Sequence, residues 1–589
     1  MRRHLRHEAL GEGGKVDLKL LPRLLSFVKP YRRAVAVATV AALLTSLFGL
    51  ASPYLYKIGI DRGIMVKDLR VLALVGLSYL GISAFSSLLS AVQMRIMGRM
   101  GMRIVYDMRR SVFSHTLRLP MRALQRFQTG DLLSRITNDI DAVQEAVTFS
   151  VVAALVDVIT AVGCLVLMLK LSPFLSLIVL VLLPLLYLVT RAFRSAFRRV
   201  FKAVRERIAE VTTKLEETIA GVQVVQAFAQ EPRMEREFYG VNFSNMAANL
   251  RAALIFGVFF PLVEFMGAGG NVAVYWLGGL KVVGGEITLG TLVAFSIYLS
   301  RFLEPINDLA RLFNSFQAAL AAAERIFSIL SEEPEPPPLP AEVAPSPRGE
   351  LAFDSVVFAY NGRPVLKEVT LHIPAGARVA VVGPTGAGKT TLANLAMRLY
   401  DPLEGAVYLD GRDMREIPPP NVRAGIGLVP QVPQLFHGTV ADNIRMANPS
   451  MSDEEIKALF LELGLGDFLS RLPRGLETEV GEEGAKLSVG EKQLICFVRA
   501  LARDPYLLIL DEATASIDIH TEALIERALR RLLKGRTSLI IAHRLRTALK
   551  SDFIVVLNEG RVEAIGRHED LIGRSPLYRC LVERQVLVA

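Results

Sequence analysis

A glycine-rich segment past the middle of the chain constrains the fold of the second half more than any other feature. Residues 383–391 read Gly-Pro-Thr-Gly-Ala-Gly-Lys-Thr-Thr, which matches the pattern G-x-x-x-x-G-K-[ST]. The apolar run 378–382 before it predicts a buried strand, and residues 392–399 behind it have helical composition. A strand, a glycine loop and a helix in this order predict a phosphate-binding loop. The glycines let backbone N–H groups turn inward at a helix N-terminus.

The residues of this loop are the first candidates for nucleotide binding. Lys389 is expected to reach the β- and γ-phosphates of the nucleotide, and the Thr390 hydroxyl is expected to ligate Mg²⁺. The candidate residues in the loop are Gly383, Pro384, Thr385, Gly386, Ala387, Gly388, Lys389, Thr390 and Thr391.

A second motif suits the same chemistry. The apolar run 507–510 predicts a strand that ends in two carboxylates, Asp511 and Glu512. Asp511 is expected to hold the Mg²⁺ shell, and Glu512 is placed to polarise the attacking water. A bare Asp-Glu pair is as often a solvated acidic turn, but its spacing after the phosphate loop favours the functional interpretation.

The first half of the chain is too apolar for a wholly soluble protein. The 589 residues are 51% hydrophobic with a mean hydropathy of +0.37, and the apolar residues are concentrated before the loop. Blocks of roughly 20 apolar residues can each cross a bilayer. Six such spans are predicted: Ala34–Tyr54, Val71–Val92, Val147–Leu169, Phe174–Thr190, Ala252–Leu280 and Thr288–Leu303. Polar residues interrupt three of them, which favours a bundle around an aqueous pathway over a simple anchor.

Basic residues predict the orientation of these spans. The segments after the second and fourth spans are rich in arginine, whereas the turns after the third and fifth carry only Lys170 and Lys281. The positive-inside rule therefore predicts a multi-pass protein of the cytoplasmic (inner) membrane with both termini in the cytoplasm, although the first external loop fits less well.

The formal net charge of +10 is explained by this bias of basic residues, so no nucleic-acid partner is predicted. A cleaved signal peptide is not expected, because residues 8–19 are polar.

The basic segments have a helical pattern of their own. Apolar and charged residues recur at helical spacing over 94–119 and 191–230, so the membrane helices are expected to continue into the cytoplasm as amphipathic rods. The rods should reverse near 120–130 and near 221–232. These reversals are the natural contact points for a cytoplasmic domain.

A change in composition divides the chain into domains. The stretch 332–348 is rich in proline and acidic residues and predicts a semi-rigid extended linker. It separates a transmembrane domain, 1–331, from a nucleotide-binding domain, 349–589. In the latter, short strands alternate with helices, the pattern of a P-loop α/β fold. The three cysteines lack the spacing of metal ligands.

With these motifs in place, the chain resembles the ATP-binding cassette (ABC) family over essentially its whole length. Tyr360 resembles the aromatic residue that stacks on adenine, Gln431 the glutamine that contacts Mg²⁺, and His543 the switch histidine on the γ-phosphate. A lone histidine is usually structural, but this one lies a family-typical distance after Glu512. Six spans fused to one nucleotide domain resemble an exporter half-transporter of the type I fold. The resemblance implies ATP and Mg²⁺ as cofactors, ATP hydrolysis through Glu512 and His543, and transport by alternating access.

One motif departs from the family pattern. The family signature is normally Leu-Ser-Gly-Gly-Gln, whereas residues 487–491 read Leu-Ser-Val-Gly-Glu. In the family, this segment contacts the ATP that is held by the phosphate loop of the opposite domain. The signature residues Ser488, Val489, Gly490 and Glu491 are therefore expected to contact ATP at a second site. The change is either tolerated drift or the mark of a weakened site, and the second interpretation implies a heterodimer with a homologous half-transporter chain.

Ionisable residues inside the predicted spans are the candidates for cargo binding, because charge in a membrane is costly and should face protein or water. They are Asp157, Glu264, Arg301 and Glu304. Pairing with one another or with a partner chain is an equally good interpretation. If they line the cavity, the cargo should be an amphipathic, charged drug or peptide. A lipid flippase, or a channel or regulator with little turnover, remains an alternative on the same scaffold.

Overall fold

The computed structural model describes the chain from Leu21 to Val586 with three gaps. The described ranges are 21–339, 348–511, 519–542 and 548–586. The predicted catalytic residues Glu512 and His543 lie outside the described residues, as does the second half of the predicted linker.

The chain divides into two compact units. The first comprises Met1–Ser114 and Gly130–Leu330, and the second comprises His115–Thr129 and Ser331–Ala589. The segment 115–129 falls inside the predicted transmembrane domain, yet it belongs to the second unit.

Through residue 330, the described chain is helical. Its α-helices are α1 (Leu21–Val28), α2 (Arg32–Ile58), α3 (Leu69–Thr116), α4 (Met121–Leu124), α5 (Thr129–Ser134), α6 (Ile140–Glu145), α7 (Val151–Leu171), α8 (Pro173–Ala220), α9 (Val222–Ala227), α10 (Glu231–Val283) and α11 (Leu289–Leu330). π-helical turns lie at Gly59–Ile64, Arg135–Asp139 and Ala146–Ser150. The rods predicted from the basic segments are confirmed, because α3 and α8 run on without a break far beyond the apolar spans that they contain. Each has 48 residues and is therefore about 72 Å long, more than twice the roughly 30 Å of a bilayer's hydrocarbon core.

Five helical stretches in the described part of the chain are long and apolar enough to cross a membrane. They are Pro22–Ile64, Leu69–Thr116, Thr129–Leu171, Pro173–Ala220 and Glu231–Val283. These contain the first five predicted spans. The sixth predicted span, 288–303, lies almost wholly in α11 and stays a prediction. Arg301 and Glu304 lie at its end, where the apolar sequence stops.

The membrane helices pack closely where side chains are small. A Cβ atom on Gly270 would lie 2.4 Å from Leu182 of α8, and one on Gly278 would lie 2.5 Å from Leu292 of α11. Small residues let helix backbones approach in this way, which maximises van der Waals contact in lipid. Glycine thus sets the distance of α10 from two of its neighbours.

The second unit contains two sheets and the helices that cover them. Its strands are β1 (Leu351–Tyr360), β2 (Arg363–Ile373), β3 (Arg378–Val382), β4 (Glu404–Leu409), β5 (Arg412–Asp413), β6 (Ile426–Val429), β7 (Leu507–Asp511), β8 (Thr537–Ile541), β9 (Phe553–Asn558) and β10 (Arg561–Gly566). Its helices after α4 are α12 (Lys389–Ala396), α13 (Pro419–Ala424), α14 (Val440–Arg445), α15 (Asp453–Glu462), α16 (Gly466–Arg471), α17 (Val489–Leu501), α18 (Ile519–Leu532), α19 (His568–Arg574) and α20 (Pro576–Val586).

One sheet has the order β2-β1-β4-β5 and is antiparallel, and the other has the order β10-β9-β3-β8-β7-β6. The five strands from β9 to β6 are parallel. Parallel strands need both faces covered, and alternate residues of β3 show this. Val379 and Val381 enter one buried cluster, whereas Ala380 and Val382 enter the other. The predicted α/β fold of the second half is confirmed.

Candidate functional site

The candidate site lies at one edge of the parallel sheet. The strands β3, β8, β7 and β6 are neighbours in this order, so their carboxyl ends meet at the same edge. The phosphate loop follows β3, Asp511 ends β7, and Gln431 comes two residues after β6. Ile541 at the end of β8 pairs with both Val381 and Asp511, so the strand ends are in register. Ligands of open parallel sheets bind at such edges.

The loop conformation depends on two of its glycines. Gly383 has a φ of +153°, and a Cβ atom there would lie 2.1 Å from the Leu557 carbonyl oxygen. Gly388, just before α12, has a φ of +103°, and a Cβ atom there would lie 2.6 Å from the Leu366 side chain. Only glycine combines this backbone with this close an approach. The sequence pattern therefore specifies the loop's shape.

Lys389 is buried at the start of α12. Lys389 is 7% exposed. Its Nζ donates hydrogen bonds to the carbonyl oxygens of Gly383 at 2.7 Å and Pro384 at 3.0 Å. Burial lowers the pKa of Lys389, and the nearby Asp511 carboxylate opposes that shift. Two neutral carbonyls compensate a buried ammonium less than an ionised phosphate does. The site therefore favours an anion beside this lysine.

The other loop residues differ in what they present. Thr385, Gly386 and Thr390 are exposed, whereas Ala387 and Thr391 are buried. The Ala387 N–H group already donates to the Pro384 carbonyl oxygen at 3.2 Å. The exposed loop backbone and the Thr390 hydroxyl are thus open to a ligand, whereas the Ala387 and Thr391 side chains pack inside the domain.

The donor types at the sheet edge suit a small hard cation. Thr390 and Gln431 are exposed and Asp511 is half-buried, which offers a hydroxyl, an amide carbonyl and a carboxylate. Mg²⁺ prefers such oxygen ligands and binds through few protein groups together with substrate phosphates. This set holds one carboxylate, and the part of the chain that the structure describes contains no cluster of three or more His, Cys, Asp or Glu residues that could hold a metal by itself.

Tyr360, the predicted adenine-stacking residue, ends β1. Its ring packs edge to face against Phe358 and Tyr400, with centroids 4.8 Å and 5.3 Å away. Its hydroxyl accepts a hydrogen bond from Asn394 Nδ2 at 3.3 Å. Asn394 and Tyr400 thus fix the ring, a role that could not be predicted because no local sequence pattern links residues this far apart.

The altered signature forms a well-capped helix start. Ser488 precedes α17, and its hydroxyl accepts from the Glu491 N–H group at 3.3 Å. The Glu491 carboxylate in turn accepts from the Ser488 N–H group at 2.8 Å, which completes a capping box. Gly490 is buried and Val489 is 51% exposed. The two replacements leave the helix start intact but present a branched apolar side chain and a negative charge on its surface.

Arg301, one of the four charged candidates for cargo binding, bonds to a backbone carbonyl that a proline leaves without its helical donor. Pro53 lies inside α2 and lacks the N–H group that would bond the Gly49 carbonyl four residues earlier. Arg301 Nη1 of α11 donates to this carbonyl, and Tyr298 Oη donates to the next one, that of Leu50, at 2.6 Å.

The remaining three residues are placed differently. Asp157 on α7 is half-buried, and Glu264 on α10 and Glu304 on α11 are exposed. Cargo binding by these three residues stays a prediction, whereas Arg301 fits a structural role.

Replacing Arg301 with methionine is expected to lower membrane-domain stability by about 1–2 kcal/mol, because the Gly49 carbonyl loses its donor. Thermal unfolding of the purified protein in detergent would measure this. In a Pro53→Ala background the helix can supply its own N–H group, so the same replacement should cost clearly less. An equal loss of stability in both backgrounds, or a change of cargo selectivity without loss of stability, would contradict the structural role.

Comparison with known proteins connects both units to one family. The model described as "ABC transporter transmembrane region" matches residues 35–306, and the model described as "ABC transporter" matches residues 366–515. A bacterial Atm1-family ABC exporter, solved with ATP bound, superposes with a TM-score of 0.77 and is 28% identical, covering 94% of this chain and 98% of that one.

Two relatives with descriptive names are similar over most of their length. The fatty acid ABC transporter ATP-binding/permease protein of Mycobacterium bovis is 38% identical over 510 residues, which cover 86% of this chain and 80% of the relative. The ATP-dependent lipid A-core flippase of Syntrophus aciditrophicus is 34% identical over 574 residues, which cover 97% of this chain and 95% of the relative.

Proposed function

This chain belongs to the ABC transporter family as an exporter with an ATPase domain, and we propose that it is one half of a heterodimer that exports amphipathic molecules. The observation that carries the proposal is the contrast within the second unit. The phosphate loop has its full pattern and a lysine poised for phosphate, whereas the signature helix presents Val489 and the Glu491 carboxylate.

The chemistry assigned to the site follows from its donors. The loop backbone and Lys389 would bind the ATP phosphates, with Tyr360 against the adenine. Glu512 would polarise the attacking water and His543 would contact the γ-phosphate. Mg²⁺ would be held by Thr390, Asp511 and Gln431, and when bound it neutralises phosphate charge. Phosphoryl transfer depends mainly on such positioning and charge neutralisation.

The heterodimer follows from how composite sites are built in this family. Each site takes its phosphate loop from one chain and its signature from the other. Two copies of this chain would place the altered signature in both sites. A partner with a standard signature would complete the site that contains Glu512, while Val489 and Glu491 would face the partner's own ATP. In this arrangement the chain is similar to the TmrA subunit of the heterodimeric thermophile exporter TmrAB.

Tagged chain purified from its native membrane is expected to bring a second ABC half-transporter chain with it. We expect the chain alone to hydrolyse ATP at least about tenfold more slowly than the pair, since one missing phosphate contact costs that much in rate. Steady-state phosphate release measures both.

Restoring the standard signature provides the matched control. The double variant Val489→Gly, Glu491→Gln should raise the ATPase rate of the chain alone. Val489 is exposed, and glutamine at 491 can still accept from the Ser488 N–H group, so the fold should tolerate the change. A chain that by itself forms a stable dimer with full ATPase and transport activity would disprove the heterodimer.

The cargo proposal has two candidates. Charged residues within the predicted spans support an amphipathic drug or peptide. The names of the two relatives support a lipid carried on the same scaffold. Proteoliposomes with either a fluorescent peptide or a fluorescent phospholipid, each with ATP and with a non-hydrolysable analogue, would separate them. ATP-dependent movement of the phospholipid alone would favour the flippase, and movement of the peptide alone would favour the exporter of peptides.

The proposal also includes the orientation of the membrane domain, with both termini in the cytoplasm.

A further inference from the structure

The start of the linker is bonded on both sides within the second unit. We propose that residues 331–339, here called the strap, hold the reversal segment 115–129 on the ATPase domain and so position it for coupling. The sequence predicted a semi-rigid extended spacer for 332–348, and the described residues 331–339 form neither helix nor strand. Its hydrogen bonds indicate a role beyond spacing.

The strap contacts both limbs of the reversal segment. Arg126 Nη1 donates to the Glu332 carboxylate at 2.9 Å, and the His115 ring nitrogen Nε2 donates to the Glu332 carbonyl oxygen at 3.0 Å. The Glu335 N–H group donates to the Arg118 carbonyl oxygen at 2.8 Å. Two strap residues therefore hold the segment both before and after its turn.

The strap is also bonded to helix α13 of the ATPase domain. Arg423 donates to the Glu335 carboxylate. The Asn421 side chain pairs with both backbone groups of Leu339, accepting from its N–H group at 2.7 Å and donating to its carbonyl oxygen at 3.3 Å. Glu335 thus joins the reversal segment through its backbone and α13 through its side chain.

Proline explains why these bonds are specific. Residues 334–338 read Pro-Glu-Pro-Pro-Pro, so Glu335 carries the one backbone N–H group among them. That group is bonded to the reversal segment, and the next N–H group, that of Leu339, is bonded to α13. The prolines restrict the stretch to extended conformations, which lowers the entropy lost when the bonds form.

The two ion pairs of the strap differ in how far they are buried. The Glu335 side chain is 15% exposed and its partner Arg423 is 31% exposed, whereas Arg126 in the other pair is 59% exposed. Exposed pairs contribute little, and shielded charge pairs cost more when one partner is removed. Glu335 is therefore the main anchor of the strap.

The reversal segment also contacts the ATPase domain directly. Leu119 and Ala123 are buried, and Met121 packs against the cluster that includes Val379 and Val381. The segment is covalently continuous with α3, which contains the second predicted span. A strap that fixes it on the domain would pass domain movement into α3.

Hydrogen exchange of the full chain tests this without any cargo. In the variant Glu332→Ala, Glu335→Ala, backbone amides of 115–129 should exchange at least about tenfold faster than in the parent, since lost contacts raise local opening. Glu333→Ala is the matched control and should leave exchange unchanged, because Glu333 is exposed and its side chain makes no hydrogen bond or ion pair among the described residues. The charge swap Glu335→Arg, Arg423→Glu should restore much of the protection.

The second measurement is hydrogen exchange in the presence of nucleotide, and it rests on the proposed function. With MgATP, the parent should show protection at 383–391 and altered exchange in 94–114. The strap variant should keep the first change and lose at least half of the second. No ATP protection in the parent would count against the proposed nucleotide site, whereas exchange at 115–129 without nucleotide tests the strap. Two outcomes would overturn the strap. One is unchanged exchange at 115–129 in the Glu332→Ala, Glu335→Ala variant. The other is faster exchange throughout the second unit that persists in the charge swap.

Discussion

Replacing Glu512 with glutamine is expected to lower steady-state ATP turnover by about 100-fold or more, the scale of a lost general base. ATP affinity should stay within a few-fold of the parent, because the phosphate loop, Lys389 and Asp511 are unchanged. The amide is nearly isosteric with the carboxylate but cannot polarise the attacking water. Phosphate release and equilibrium binding of ATP, measured on the same preparation, would check both parts.

A matched replacement shows whether the effect belongs to this position. Glu454 lies exposed in the first turn of α15, and it belongs to neither the phosphate loop nor a strand of the parallel sheet. Glu454→Gln removes the same charge and should leave turnover unchanged. Near-normal ATPase activity in Glu512→Gln would remove Glu512 from the catalytic site, even though Asp511 precedes it at the end of β7.

Replacing Lys389 with alanine is expected to weaken ATP binding by about 10- to 100-fold, which corresponds to the roughly 1.5–3 kcal/mol of a hydrogen bond to a charged group. The Nζ atom is already held in the loop by the Gly383 and Pro384 carbonyls, so little ordering is needed when phosphate binds. Titration with a fluorescent ATP analogue would measure the change.

Lys492 provides the control for this effect. Its Nζ also donates to a backbone carbonyl, that of Glu483 at 2.9 Å, but it lies on α17 and not in the phosphate loop. Lys492→Ala should therefore leave ATP binding by the isolated chain unchanged. Equal ATP affinity in Lys389→Ala and the parent would contradict the role of Lys389.

Much of the architecture could be predicted because it is encoded locally. Helical spacing over 94–119 and 191–230 predicted that the rods continue from the membrane, and α3 and α8 do so. The phosphate loop was predictable because its glycines occupy backbone conformations that other residues avoid. The capping role of Glu491 was also predictable in principle, since the Ser-x-x-Glu spacing is itself a helix-start signal.

Partners far apart in the sequence could not be predicted in this way. The sequence predicted that the reversal near 120–130 contacts a cytoplasmic domain, but only the tertiary structure grouped 115–129 with the second unit and showed its bonds to the strap. No periodicity or composition links His115 to Glu332, because their contact depends on how the intervening helices pack.

Pro53 shows both sides of this limit. From the sequence alone, a proline inside a helix leaves the carbonyl four residues earlier, that of Gly49, without its helical donor. Which group satisfies that carbonyl is a question of packing, and the answer is Arg301, 252 positions away. Local sequence determines which backbone groups need a partner, since that depends on residues within one turn. The tertiary structure decides which side chain meets the need, because only packing sets the distance between remote residues.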